Sequence, residues 1–309
     1  MREEIQEVRG SWIITVLGRT NVEHTLGPVT DVIKEQGLEL DYIETPSGSF
    51  EPSEETGYAL ARIRTYGRGD EARIREEYLE LADEIAVDIV FQREGDFECK
   101  RRLFVFDMDS TLIQGETIDE LAKMAGVADL VVAITASAMR GEIEFPESFR
   151  RRVGLLAGLP EAKAMEVIER LPLMEGAERL FRELKANGRK TAILSGGFTF
   201  FGSVLKEKLG ADYVFANELD VADGFVTGEV RGRIVDGARK AELLQEIAAK
   251  EGIPLEQVVA VGDGANDLPM LGLAGMGVAF HAKPVVRASA KFAVTHVGLN
   301  GLLELVNYR

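Results

Sequence analysis

The apolar positions of residues 1–99 switch between a strand period and a helix period. SWIITVLG (11–18) is a β-rich apolar run. Residues 22–36 place Val22, Leu26, Val29, Val32 and Ile33 near helical spacing, and Gly37 follows as a C-cap. LELDYIET (38–45) alternates as a half-buried strand should, and PSGSFEPSEETG (46–57) has the composition of a loop. YALARIRTYG (58–67) alternates strictly, with Tyr58, Leu60, Arg62, Arg64 and Tyr66 on one face. Residues 70–86 read as an amphipathic helix whose acidic first turn, Asp70 and Glu71, suits the helix dipole, and VDIVFQRE (87–94) is a last strand. The order is βαββαβ, with residues 91–102 as a linker.

From residue 100 the pattern becomes that of alternating buried strands and helices. Leu103 to Phe106 is a short apolar run after a charged one, which reads as a buried strand. A helical block at about 116–173 follows, with no strand alternation and with Gly158 and Pro160 as stop signals. An all-helical insert between the first two strands of an α/β core reads as a cap over a site. Then come a helix (176–188), a strand (189–197), a helix (198–210), strands with a hairpin at Asp223-Gly224 (211–233) and a helix (237–252). QVVAVGDGANDLPML (257–271) holds a third buried strand, and GMGVAF, KFAVTH and the C-terminal LNGLLELVNYR complete the alternation. The expected fold is α/β: a doubly wound parallel sheet at 100–309 with a helical cap, preceded by a smaller βαββαβ unit at 1–99.

Three of the apolar strands end in polar loops, VFDMDST, AILSGG and AVGDGAND. Parallel strands share one carboxyl edge, where open α/β sheets bind ligands, so the loops should converge there. That would bring together Asp107, Asp109, Ser195, Gly196, Asp263, Asn266 and Asp267, with Lys240 entering from a helix start. Singly, D-x-D and S-G-G are also ordinary turns, and a helix lysine is ordinarily solvated; their common order gives them weight. Four carboxylates in one place raise one another's pKa unless a cation sits among them. An oxygen-only donor set favours Mg²⁺. Ser195, the N–H groups of its Gly-Gly turn and Lys240 can cradle phosphate.

Charge sharpens this picture. The 309-residue chain has net charge −16, which repels nucleic acid and anionic membranes and leaves an anionic substrate dependent on local cations. Cys99 is the only cysteine, and His24, His281 and His296 are scattered, so neither a disulfide framework nor a zinc site is expected. Without an apolar leader or an apolar run long enough to span a membrane, the expected location is the cytoplasm.

DMDST, SGG, a lysine and GDGAND in this order resemble the haloacid dehalogenase superfamily over nearly all of residues 101–309. AMRGEIEFPESFRRRVGLL (138–156) and FANEL (215–219) extend the resemblance. It implies that Asp107 attacks phosphorus, forming an aspartyl-phosphate, and that Asp109 serves as general acid and then base. It implies Mg²⁺ held by the Asp107 carboxylate, the Asp109 carbonyl and Asp263. Ser195, Gly196 and Lys240 would bind phosphoryl oxygens, Asn266 would border them, and Asp267 would support Lys240. Within the superfamily the pattern implies phosphoserine as substrate and the last step of serine biosynthesis. Glu116 would then take its ammonium, Arg152 its carboxylate, and Met139 and Phe145 would form an apolar wall. Another phosphoester hydrolase or phosphotransferase on the same scaffold, and a non-catalytic amino-acid sensor, remain as alternatives. Residues 1–99 resemble an ACT domain in pattern, though Arg19-Thr20-Asn21 follows Gly18 where that family often has a Gly-rich ligand turn. The resemblance implies a regulatory or dimerisation module and a homodimer.

Overall fold

The computed structural model describes residues 8–306. The N-terminal part contains β1 (Val8–Gly18), α1 (Leu26–Glu35), β2 (Leu38–Glu44), β3 (Ala59–Gly69), α2 (Glu71–Ile85) and β4 (Asp88–Arg93). Its four strands lie in the order β2-β3-β1-β4, each antiparallel to its neighbours. Two βαβ units thus interleave, each with a strand of the other in its gap, which is the ferredoxin-like arrangement and is compatible with an ACT-like domain.

Both faces of this sheet are buried. On one face Trp12, Ile14, Val16, Ala61, Ile63 and Phe91 pack under Val29, Ile33, Ile74 and Tyr78 of the two helices. The other face carries Leu17, Tyr58, Leu60 and Val90, which belong to the main core of the molecule. It is closed by a 3₁₀ segment at Leu299–Leu305: Tyr58 donates its hydroxyl to Asn300 O at 3.2 Å, and Gln92 its amide to Leu305 O at 3.2 Å. The C-terminal stretch therefore lies beneath the N-terminal sheet, and residues 307–309 fall outside the described ones.

Two expectations change. Strand β2 is not half-buried: only Leu38 is buried, because β2 is an outer strand. The expected linker is not open chain, for β4 runs directly into α3 (Glu94–Glu98), which buries Phe97 beneath the Arg62 guanidinium.

The second sheet has seven strands in the order β11-β10-β9-β5-β6-β7-β8. They are β5 (Leu103–Phe106), β6 (Lys190–Phe198), β7 (Tyr213–Ala222), β8 (Phe225–Arg231), β9 (Val258–Gly262), β10 (Met276–Phe280) and β11 (Phe292–Val294). All neighbours are parallel except the β7–β8 hairpin, which turns at Asp223-Gly224 with both residues at positive φ. Between β5 and β6 the cap carries α4 (Thr117–Ala125), α5 (Ala128–Met139), α6 (Phe145–Gly154), α7 (Glu161–Met165) and α8 (Val167–Arg170). The helices α9 (Ala177–Ala186), α10 (Thr199–Leu209), α11 (Gly237–Lys250), α12 (Leu268–Leu273) and α13 (Pro284–Ser289) complete the fold. The two chain segments joining cap to sheet lie side by side: Met174 N donates to Leu112 O at 2.8 Å and Gln114 N to Pro172 O at 2.9 Å.

Among the contacts that fasten the N-terminal sheet to this second part, two lie beside the returning cap segment and the stretch after β11. Arg19 makes a two-pronged ion pair with Glu175, at 2.6 and 3.0 Å, immediately after the returning cap segment. Asp88, 3% exposed, accepts backbone N–H bonds from Thr295 (2.5 Å), His296 (3.0 Å) and Val297 (3.0 Å). Replacing Asp88 by alanine would orphan three backbone donors at a buried junction. Asp88→Ala should lower stability by about 2–4 kcal/mol in urea unfolding, whereas the exposed Asp41→Ala should change it little. A loss as small as that of the Asp41 control would mean that this junction does not hold the two sheets together.

Candidate active site

Strand β5 is flanked by β9 and β6, so the three polar loops after these strands open onto one edge. Asp107 follows β5 directly, and its N–H is held by Val261 O at 2.9 Å. Its carboxylate accepts from Lys240 Nζ at 2.6 Å. The same ammonium donates to Asp267 Oδ1 at 2.7 Å, and Lys240 and Asp267 are both fully buried. Asp236 caps α11 through Arg239 N, which fixes the helix start one turn before Lys240. Asp267 is itself held by Gly264 N at 3.0 Å.

The electrostatics of this cluster are unbalanced. Asp107, Asp263 and Asp267 bring one oxygen each to within 4.8 Å of one another, and a single ammonium faces them. Burial, then the neighbouring Asp267, pushes the Asp107 carboxyl well above the usual range despite Lys240. Burial and Asp267 push Asp263 up to about 7, although Thr111 donates its hydroxyl to it at 2.9 Å. Burial opposes the Lys240 charge, but Asp107 and Asp267 together hold its pKa above the ordinary value. Three acids and one lysine form an oxygen-only donor set short of positive charge, which fits a hard divalent cation. The expected metal ligands Asp107 and Asp263 lie in this cluster, and Asp267 shares it.

Asp109 faces a different way. Its Oδ1 accepts Thr117 N at 2.8 Å at the start of the first cap helix. Its Oδ2 lies 3.4 Å from the Ser195 hydroxyl. Burial, then the charge of Glu116, raises its pKa to about 7, so this carboxyl can carry or release a proton near neutrality. Gly197 must lack a side chain, since a Cβ there would meet Asp109 Oδ2, Met108 Cε and Thr117 Oγ1. Ser195 is fully buried and accepts Gly197 N at 2.8 Å.

The cap residues are placed unevenly. Glu116 precedes α4 and accepts the Ser110 hydroxyl at 2.9 Å; Ser110 has φ +58°, a strained setting for a non-glycine residue. Arg152 on α6 touches Ser148 O and Thr135 Oγ1 only at 3.4 and 3.5 Å, and its guanidinium senses the charges of Glu116, Asp119 and Asp109. Phe145 reaches the core: a Cβ on Gly196 would lie 3.2 Å from its ring. Met139, by contrast, ends α5 and is 66% exposed, so it is not brought to the cluster. Asn266 stands in the turn before α12, its Oδ1 against Gly264 and its carbonyl 2.6 Å from where a Gly237 Cβ would be. Sequence reasoning did not single out Thr111, Ser110, Thr117 or Asn217. The only signal among them was Asn217, an amide inside a strand, where asparagine is depleted.

The fold and this cluster define a class. A model of the haloacid dehalogenase-like hydrolases matches residues 104–272, more than half of the chain, and the protein belongs to that family. Within it, the chain is 48% identical over 240 residues to a phosphoserine phosphatase of Archaeoglobus fulgidus, covering 78% of this chain and 70% of the relative. Its structure is similar to a probable phosphoserine phosphatase from Vibrio cholerae, unliganded (TM-score 0.77, 36% identity, 97% and 87% of the two chains). It is also similar to a haloacid dehalogenase family hydrolase from Salmonella enterica serovar Typhi (TM-score 0.84, 31% identity, 96% and 98%).

The raised pKa of Asp263 has a consequence for the metal-free protein. A carboxyl bound more tightly to its proton in the folded state contributes stability that is fully present below its unfolded pKa, 3.8, and is lost as pH rises through about 7. In EDTA, Asp263→Asn should therefore match the wild type in Tm near pH 4 and exceed it by several degrees at pH 8. Added divalent cation should raise the wild-type Tm at pH 8 and leave the variant nearly unmoved. A variant less stable than the wild type at pH 8 in EDTA would contradict this electrostatic reading.

Proposed function

We infer that this protein is a phosphoserine phosphatase, hydrolysing O-phospho-L-serine to L-serine and phosphate, the last step of serine biosynthesis. The observation that carries the reading is the buried Asp107–Lys240–Asp267 cluster beneath a cap that presents Glu116 and Arg152. The first suits a phosphoryl group, and the second pair suits an ammonium and a carboxylate, the two charges that phosphoserine carries beyond its phosphate.

In the proposed mechanism, Asp107 is the nucleophile. Lys240 keeps it oriented and draws charge from the phosphoryl oxygens. Asp109, with a pKa near 7 and one oxygen anchored by Thr117, protonates the leaving serine oxygen while Asp107 becomes phosphorylated. Now ionised, Asp109 takes a proton from water, which attacks the aspartyl-phosphate and frees Asp107. Ser195 and Gly196 hold the phosphoryl oxygens, and Asn266 borders them. Asp107, Asp263 and the Asp109 carbonyl would hold Mg²⁺, with Asp267 in support; when bound, the ion offsets the negative charge of the carboxylates and of the transferring group. Phe145 excludes water from the amino-acid end. Met139, exposed here, would serve that wall only after movement of α5.

For the remainder of the chain, residues 1–99 are proposed as a regulatory or dimerisation domain and 100–309 as the catalytic domain. The turn after β1 supports docking over amino-acid binding, since Arg19 is engaged with Glu175. The outer strand β2 exposes Leu40, Tyr42 and Ile43, which supports a homodimer. Among the described residues no helix is long and apolar enough to cross a membrane, and Cys99 is free, which suits the cytoplasm.

Phosphate release from L-phosphoserine and from para-nitrophenyl phosphate, with Mg²⁺ or EDTA, tests the reading. Wild-type release from phosphoserine should need Mg²⁺ and should fall by about 10⁴-fold or more in Asp107→Asn. Activity confined to the aryl ester would discard the substrate. Arg152→Ala should raise KM for phosphoserine by about 10²-fold while sparing the aryl ester; equal losses on both would remove Arg152 from recognition of the carboxylate.

A further inference from the structure

One buried amide joins the two loops that hold phosphate. We propose that Asn217 is a positioning residue that sets the spacing between the Ser195-Gly196 turn and the start of the Lys240 helix. This rests on the phosphatase reading above and adds to it the part that fixes the phosphate cradle. Asn217 is 1% exposed and touches none of the reacting groups.

Its place follows from strand register. Leu194 pairs with Phe215 and Phe198 with Asn217, so Ser195, Gly196 and Gly197 are accommodated opposite Ala216 alone. A bulge of this kind takes the backbone out of the ladder, and its carbonyls need partners elsewhere. Asn217 Nδ2 donates to Gly196 O at 2.8 Å. Its Oδ1 accepts from Val235 N, also at 2.8 Å. Val235 precedes Asp236, the cap of α11, and Lys240 follows one turn later. The two backbones are in contact, for a Cβ on Gly196 would lie 3.6 Å from Val235 O. An amide offers one donor and one acceptor end, and each end here meets the complementary backbone group of a different phosphate-binding segment. Serine or alanine could not span the gap, and aspartate presents an acceptor to the Gly196 carbonyl. Misplacing one arm of the cradle by about 1 Å is enough to cost about 10²-fold in rate.

The test compares purified wild type with Asn217→Asp on phosphoserine and para-nitrophenyl phosphate, with inorganic phosphate as inhibitor, over a pH series from about 5 to 8. At the alkaline end the ionised aspartate keeps the Val235 bond and loses the Gly196 bond. There kcat should fall about 10²-fold on both esters alike, and phosphate should inhibit about 10-fold more weakly. Burial at this 1%-exposed position and the facing Gly196 carbonyl raise the pKa of the introduced carboxyl, so at the acid end it is protonated and can donate its O–H to Gly196 O, and the variant-to-wild-type ratio of kcat should climb back toward one. A purely structural role would lower Tm without that recovery. Unchanged kcat and phosphate inhibition would overturn the proposal, as would a ratio that stays flat with pH or a loss confined to phosphoserine. If Asn217→Asp does not fold, Asn217→Ser should show the same loss on both esters without acid recovery, and full activity there would also overturn it. Wild type that cleaves only the aryl ester would defeat the substrate reading alone, since the Asn217 comparison is still read on that ester.

Discussion

A fully buried ammonium between two buried carboxylates is the interaction on which the site depends. Lys240 takes its charge out of water only because Asp107 and Asp267 stand at 2.6 and 2.7 Å. Removing Lys240 would leave two buried carboxylates facing each other in a low-dielectric place with no cation between them, which costs far more than the intact set contributes. The same ammonium opposes the upward push of burial and Asp267 on the Asp107 carboxyl, while Asp109, held by Thr117, is free to carry a proton near neutrality. Two carboxylates of one D-x-D motif thereby sit in different surroundings, which suits the separate nucleophilic and acid–base roles proposed for them.

That cluster exists because of strand order. The strands bearing DMDST, SGG and GDGAND are neighbours, β9-β5-β6, and all three run in the same direction. At the site the sheet departs from regularity after Leu194, where β6 bulges against β7. The bulge lifts Ser195 toward Asp109, and glycine at 197 is what allows the close approach. Above, the cap enters and leaves through paired segments at Leu112–Gln114 and Pro172–Met174, so Glu116 and Arg152 are carried on a body joined to the core by two strands of chain.

The N-terminal sheet is part of the same packed body. Its second face shares a core with the catalytic part and lies on Leu299–Leu305. Asp88 and Arg19 bind backbone and carboxylate groups beside the returning cap segment, so the polar contacts across this junction are satisfied rather than solvated. Leu40, Tyr42 and Ile43, exposed apolar residues of the unit, lie together on the outer strand β2.

The sequence alone determined the βαββαβ unit, the parallel α/β core, the helical cap and the convergence of Asp107, Asp109, Ser195, Lys240, Asp263 and Asp267. Each of these rests on local information: period, turn chemistry, and the rule that parallel strands share a carboxyl edge. Tertiary structure decided the rest. The alternation of Leu38 to Thr45 could not reveal an outer strand, because burial depends on which neighbours arrive. The apolar C-terminal LNGLLEL could not announce that it would lie beneath a sheet far earlier in the chain, as the Tyr58–Asn300 bond, 242 residues apart, shows. Thr111, Ser110 and Asn217 were not singled out because their work is to bond groups whose positions are set by other segments. Periodicity reports which way a side chain points along its own element; it carries no information about the partner it meets, and the partners are what give these residues their roles.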